Sequence, residues 1–129
     1  MKTTMIERYT RKEIKSIWED KNKYSIWLEI ELAAAEAMEK FKIIPKGVSK
    51  KVRSKAKINV NRILQIEEKV KHDLIAFLTS ITEKAGKEAR YLHKGMTSSD
   101  VLDTCFNLQL KQSGQILLKD IDQLLGSIK

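Results

Sequence analysis

Helix breakers are scarce in this sequence. One proline and five glycines are spread over 129 residues, which points to a mostly helical chain. The single cysteine, Cys105, excludes an internal disulfide. It falls within a helical pattern, so a buried structural thiol in a reducing cytoplasm is the expectation. The only two histidines, His72 and His93, have no third ligand at regular spacing. A zinc or iron site is therefore not supported. Long apolar runs are missing as well. The best of them, around Leu28 to Met38, is broken by Glu29, Glu31 and Glu36 and cannot span a membrane. The N-terminus is positively charged but lacks an apolar signal-peptide core, and no export signal is read there. Internal repeats and low-complexity segments are also absent from the sequence.

What is present describes a globular chain, with 42% hydrophobic and 33% charged residues. Its length is one domain's worth, enough for a modest core. The net charge of +8 raises nucleic acid or an anionic ligand as partner. Much of that charge sits in Lys46, Lys50, Lys51, Arg53, Lys55 and Lys57. The run has no interleaved aromatics and no nucleic-acid motif, so a solvated basic face is expected, without dedicated nucleic-acid binding. A non-catalytic basic helical module that binds nucleic acid through Lys46 to Lys57 is the reading from another class. Salt-dependent retention on DNA would mark it.

Taken in order, Thr10-Arg11-Lys12-Glu13 has the form of a capping box, opening a short helix with Ile14, Ile17 and Trp18. Asp20 is expected to cap a longer helix whose buried stripe is Ile26, Ile30, Ala33, Ala34, Ala37, Met38 and Phe41. Trp18 and Trp27 read as core or interface residues. Pro45 and Gly47 stop that helix, and a short basic helix follows from about Val48 to Ala56. Asn59 or Asn61 caps the next helical pattern, with Ile63, Leu64, Ile66 and Val70 apolar. His72-Asp73 interrupts the pattern, and Leu74, Ile75, Phe77, Leu78 and Ile81 continue it to Gly86. Lys87 to Lys94 reads as a loop. The last and longest helix has a first apolar face of Val101, Leu102, Cys105, Phe106 and Leu108. Leu117, Ile121, Leu124, Leu125 and Ile128 form a second. Between the two faces, the polar stretch Lys111 to Gln115 with Gly114 allows a kink or a lost packing partner. The sequence stops in mid-pattern at Lys129, as a piece of a longer chain would.

The chain is organised around Leu92-His93-Lys94-Gly95-Met96-Thr97-Ser98-Ser99-Asp100. This is a glycine-containing loop that turns straight into the last helix. Ser98 or Ser99 suits the N-cap, since its hydroxyl can accept from free backbone N–H groups. Asp100 sits where the helix dipole favours a negative charge. The same turn can bind an outside anion. Residue types alone support a capped helix with a possible anion site, and no reaction. His72 likewise reads two ways, as a proton shuttle or anion donor near neutral pH, or as a satisfied structural histidine.

His93-x-Gly95-x-Thr97-Ser98-x-Asp100, with Asp103-Thr104, resembles the N-terminal active-site segment of adenylosuccinate lyases in the fumarase/aspartase superfamily. Met5-Ile6-Glu7-Arg8-Tyr9 resembles the opening of those enzymes, and Lys71-His72-Asp73 their Arg-His-Asp stretch. At that stretch Lys71 keeps the charge of the family's Arg but loses its bidentate fork. The resemblance runs from Met5 nearly to the end. It implies an all-α chain: a small helical N-terminal domain over residues 1–96, and at 97–129 the first long helix of a central helical-bundle domain.

It also implies β-elimination of fumarate from adenylosuccinate, giving AMP, and from the succinyl imidazole-carboxamide nucleotide earlier in purine synthesis. No metal or organic cofactor is needed. Arg8 and Tyr9 would hold the substrate's phosphate, where a guanidinium fork and a phenol are apt donors. Lys71, His72 and Asp73 would contact substrate, His72 and Asp73 would also support the acid, and His72 and His93 are the expected catalytic residues. His93 would orient or contact substrate, and Thr97 and Ser98 would bind the succinyl carboxylate. In the family the base is a serine on a mobile loop and the acid a histidine, both downstream of these residues, so the segment alone would be inactive. Its active sites are built from three subunits of a cytoplasmic homotetramer, and the two apolar faces of the last helix would serve such a bundle. A carboxymuconate-cycloisomerase-like or other fumarate-releasing enzyme shares the Gly-x-Thr-Ser-x-Asp segment. Arg8-Tyr9, which serves a nucleotide phosphate, argues against it.

Overall fold

The computed structural model describes residues 6–128, the side chain of Glu7 excepted. Met5 of the opening motif and the ends of the two expected domains, residues 1–5 and 129, lie outside the described residues. Six α-helices follow one another: α1 Lys12–Trp18, α2 Asp20–Lys40, α3 Val48–Lys55, α4 Val60–Val70, α5 Asp73–Ala85 and α6 Ser98–Ile128. Two short 3-10 helices, Glu7–Tyr9 and Gly86–Tyr91, join them. The described residues contain no strand, so the fold is all-α.

The core forms where α2 meets α5 and the first half of α6. Tyr24, Trp27 and Phe77 are its centre: the Tyr24 and Phe77 rings stack at 5.9 Å, and Trp27 stands edge-on to both at 5.2 and 5.5 Å. Each such pair contributes about 0.5–1.5 kcal/mol beyond area burial. Leu32, Ala35, Val52, Ile63, Leu74, Ile81 and Val101 complete the same fully buried cluster. The stripe expected on α2 is therefore rotated. Tyr24, Trp27, Glu31 and Ala35 face inward, whereas Ala33, Ala37 and Phe41 are exposed. Ile26 of the expected stripe is buried, and Ile30 and Met38 pack against the cluster, but the inward face also takes in Glu31, and a helix face that includes a glutamate does not look apolar.

Helix ends explain the other local departures. Thr10 does not cap α1. Its hydroxyl donates to the Ile6 carbonyl at 2.9 Å, and Arg11 takes the N-cap position without a side-chain bond. Asp20 lies inside α2 rather than capping it; Glu19 is the N-cap, and Asp20 pairs with Lys23 at 3.0 Å. The stop of α2 comes before Pro45. Lys42 adopts left-handed φ of 59°, and the N–H groups of Lys42 and Ile43 return to Glu39 and Met38 at 3.1 and 2.9 Å. That is a Schellman end made without glycine. Glu39 then binds the N–H groups of Gly47 and Ser49 at 2.8 and 2.7 Å, which ties the end of α2 to the start of α3.

Of the alternatives Asn59 and Asn61, Asn59 caps α4, accepting from the Arg62 N–H at 3.1 Å. Gly86 ends α5 as expected, with φ of 78°. The expected loop after it is mostly the 3-10 helix Gly86–Tyr91. Across Gly114, α6 stays a single helix of 31 residues.

The packing of α6 is narrower than its apolar pattern suggests. Val101, Cys105 and Gln109 are its buried line, whereas Phe106 and Leu108 are exposed. Gln109 donates to the Ile17 carbonyl at 2.7 Å, and Asn22 and Trp18 donate to Gln112 and Ser113 at 3.0 and 3.1 Å. The polar middle of α6 is thus where α1 and the start of α2 attach. Burial pushes the Cys105 thiol above its ordinary pKa, which suits a structural thiol.

Candidate functional site

The loop before α6 is held by one carboxylate. Glu31 is fully buried on α2, and its Oε2 accepts the His93 backbone N–H at 2.7 Å. Its Oε1 lies 2.7 Å from His93 Nδ1. His93 has φ of 59°, and Gly95 two residues later has φ of 72°. Two left-handed residues reverse the chain so that it runs into α6. Nδ1 is thus taken up by Glu31, and Nε2 is the other ring nitrogen.

Five residues after His93, α6 opens at Ser98, which puts Thr97 at the N-cap position instead of Ser98 or Ser99. Asp100 explains the shift. Its Oδ2 reaches back to the Thr97 N–H at 2.8 Å, the returning half of a capping box. The hydroxyls of Thr97, Ser98 and Ser99 make no hydrogen bond among the described residues. Unspent hydroxyls beside the free N–H groups of a long helix form a cradle for an anion.

His72 occupies a different helix start. It is the N-cap of α5, exposed, and its Nδ1 accepts from the Ile75 N–H at a long 3.4 Å. With Nδ1 accepting, a neutral ring carries its hydrogen on Nε2. Asp73 lies 3.6 Å from the same ring nitrogen and accepts from the Leu74 N–H at 2.6 Å. Lys71 is exposed and takes φ of 54° at the end of α4. Two turns of the chain therefore set Lys71, His72 and Asp73 side by side. His72 opens α5, and His93 follows the 3-10 helix that comes after it. No hydrogen bond or ion pair joins them among the described residues.

Arg8 and Tyr9 are exposed in the first 3-10 helix, with the guanidinium 4.8 Å from the ring centre. Thr10 separates them from Arg11, which bonds Asp120 in the far half of α6. Asp120 is about 35 Å along that helix from Thr97. One chain therefore brings together His93 with Thr97 and Ser98, and Lys71 with His72 and Asp73, and no hydrogen bond or ion pair among the described residues ties these two groups to each other or to Arg8-Tyr9. Sequence reasoning missed Glu31. The available signal was a carboxylate at a core position of α2, where a charge needs a partner.

Elsewhere, a groove of about 980 Å³ lies beside Pro45, lined by Glu39, Lys42 and Ser49 among others and by none of these residues. The basic run is partly neutralised: Arg53 pairs with Glu29 at 2.6 Å, and Lys51 with Glu88 at 3.4 Å. No group of three or more His, Cys, Asp or Glu among the described residues is placed to hold a metal ion. No helix among them is long and apolar enough to cross a membrane.

Comparison with known proteins adds relatives to this geometry. A family model described as lyase matches residues 4–129. The chain is 44% identical over 125 residues to an adenylosuccinate lyase of Bacillus subtilis, covering 97% of this chain and 29% of that protein. It is 42% identical over 121 residues to an adenylosuccinate lyase of Staphylococcus saprophyticus, covering 94% of this chain and 28% of that one. It thus spans less than a third of the length of these curated relatives. Among solved structures, a fumarate lyase from Mesorhizobium matches with a TM-score of 0.77 at 22% identity, over 84% of this chain and 26% of that chain. That likeness bears on the fold alone.

Proposed function

The chain belongs to the lyase family, and from that premise we propose that it is the N-terminal part of an adenylosuccinate lyase, releasing fumarate from adenylosuccinate and from the succinyl imidazole-carboxamide nucleotide. The observation that carries this reading is the loop from His93 to Asp100. An imidazole anchored on a buried carboxylate precedes, by four residues, a helix start with unspent hydroxyls. β-Elimination of a dicarboxylate needs both features: donors for a carboxylate whose charge grows in the transition state, and a fixed ring beside them. In this reading Thr97 and Ser98 bind the succinyl carboxylate and His93 contacts the substrate. Lys71, His72 and Asp73 contact it from α5, and Arg8 with Tyr9 take the phosphate. The base and acid come from outside these residues, so the segment alone has no lyase activity.

The separation of the three groups supports a site shared between copies. A nucleotide is far shorter than the 35 Å or so between Thr97 and Asp120, where Arg11 attaches, which favours a phosphate pair and a carboxylate cradle supplied to one substrate by different copies. The second half of α6 exposes Leu117, Leu118, Ile121, Leu124 and Leu125. A row of this kind is what a helix contributes to a bundle. We read the domain boundary at 96/97, α6 as one element of a homotetrameric core, and the compartment as the cytoplasm, in keeping with the buried thiol of Cys105.

The test is fumarate release from adenylosuccinate by the complete lyase that carries this segment, beside its His93→Ala variant. Rapid release by the parent and a large loss in the variant are expected. A folded, tetrameric parent that releases no fumarate would refute the substrate assignment.

A further inference from the structure

Glu31 costs the core more than it returns in stability. It is fully buried among apolar neighbours, one helical turn from Trp27 and from Ala35 on the same face of α2. A buried carboxylate is expensive to desolvate even when bonded, and an apolar side chain of similar size would serve the core as well or better. Both of its oxygens are nevertheless committed to a single residue, the backbone and the ring of His93, each at 2.7 Å.

We propose that Glu31 is the positioning residue of this site, fixing the tautomer and orientation of His93 so that Nε2 is the ring atom offered to the substrate. Three constraints converge on the histidine. The bond to its N–H anchors a backbone held in the left-handed region, at φ of 59°. The bond to Nδ1 sets the ring's orientation. An acceptor-only carboxylate places the hydrogen on Nδ1. The anchor itself belongs to a helix of 21 residues whose other inward side chains form the core, so the loop inherits the rigidity of the scaffold. The part concerning substrate rests on the lyase reading above; the part concerning the tautomer does not.

Glu31→Gln separates the two parts. The amide has nearly the same volume, and its oxygen can still accept the His93 N–H. Its NH2 then faces Nδ1 as a donor, which drives the hydrogen to Nε2. Long-range proton–nitrogen correlation spectra of the 129-residue chain should find a hydrogen on Nδ1 of His93 in the wild type. In the variant, Nδ1 should lack it. In the complete lyase, E31Q should lower kcat/KM for adenylosuccinate at least about tenfold, the scale seen when a partner that orients an imidazole is lost. It should have no further effect when added to His93→Ala. Absence of a hydrogen on Nδ1 in the wild-type chain overturns the proposal, and that measurement needs no variant to fold. So does an E31Q variant with the wild-type tautomer and activity, or one whose loss is undiminished in the H93A background. A parent enzyme inactive on adenylosuccinate would instead overturn the substrate reading, with the spectra still deciding the role of Glu31.

Discussion

Replacing Glu39 by Gln should destabilise the chain by about 1.5 kcal/mol at neutral pH, and the penalty should vanish in acid. The carboxylate accepts two backbone N–H groups, from Gly47 at 2.8 Å and Ser49 at 2.7 Å, at the opening of α3. Bonds to a charged acceptor contribute about 1.5–3 kcal/mol each, and an amide oxygen can replace one of them with a neutral bond worth about 1 kcal/mol. Solvent near this partly exposed group trims the difference, which gives the value stated. The sign follows from linkage. The N–H donors of Ser49 and Gly47 hold the Glu39 carboxyl below its ordinary pKa. Its stabilisation is therefore complete above the unfolded value of about 4.3, declines as pH falls below that value, and is lost once pH drops under the lowered folded value. Urea unfolding followed by circular dichroism reads it directly. With a slope of about 1.5 kcal/mol per molar urea, the midpoint of E39Q should lie roughly 1 M below wild type at pH 7, and the two should converge in acid. Equal midpoints at pH 7, or a gap that persists in strong acid, would refute the argument.

Phe77→Ala removes the ring that contacts both Tyr24 and Trp27; a loss of about 3–5 kcal/mol is expected, and a loss under 1 kcal/mol by denaturant unfolding would contradict the placement of the core. Lys42→Gly relieves a side chain from left-handed φ of 59° and should gain about 0.5–1 kcal/mol, so a lowered melting temperature would count against the Schellman end. In the complete lyase, Ile121→Lys on the exposed row of α6 should shift sedimentation from tetramer toward smaller species and lower activity with it; an unchanged tetramer would exclude that row from the assembly.

Much of this fold is legible from local chemistry. Asn59 caps α4 because its side chain reaches an N–H three residues ahead, and Gly86 ends α5 because it adopts a φ that other residues resist. Both effects act within one turn, so residue order reveals them. The choices at Thr10, Asp20 and Ser98 each missed by about one residue for a related reason. Several side chains compete for the same orphan N–H groups, and the winner depends on what else each can bond. Asp100 took the Thr97 N–H, and the Thr10 hydroxyl went to the Ile6 carbonyl. Lys42 gave no hint of its left-handed geometry, since that conformation belongs to glycine and asparagine far more often than to lysine.

By itself, the order of residues determined that the chain is helical, where most helices start and stop, and which short motifs resemble a lyase. Helical periodicity and capping are interactions over three or four residues, and they survive without any tertiary partner. Only the tertiary structure decided which face of α2 is buried, because that face contains Glu31, whose partner His93 lies 62 residues away. It also decided that Arg11, three residues after Arg8, attaches to the far half of α6, about 35 Å along that helix from Thr97. The length of α6 sets that distance, and a helix holds its ends apart whatever chemistry they carry.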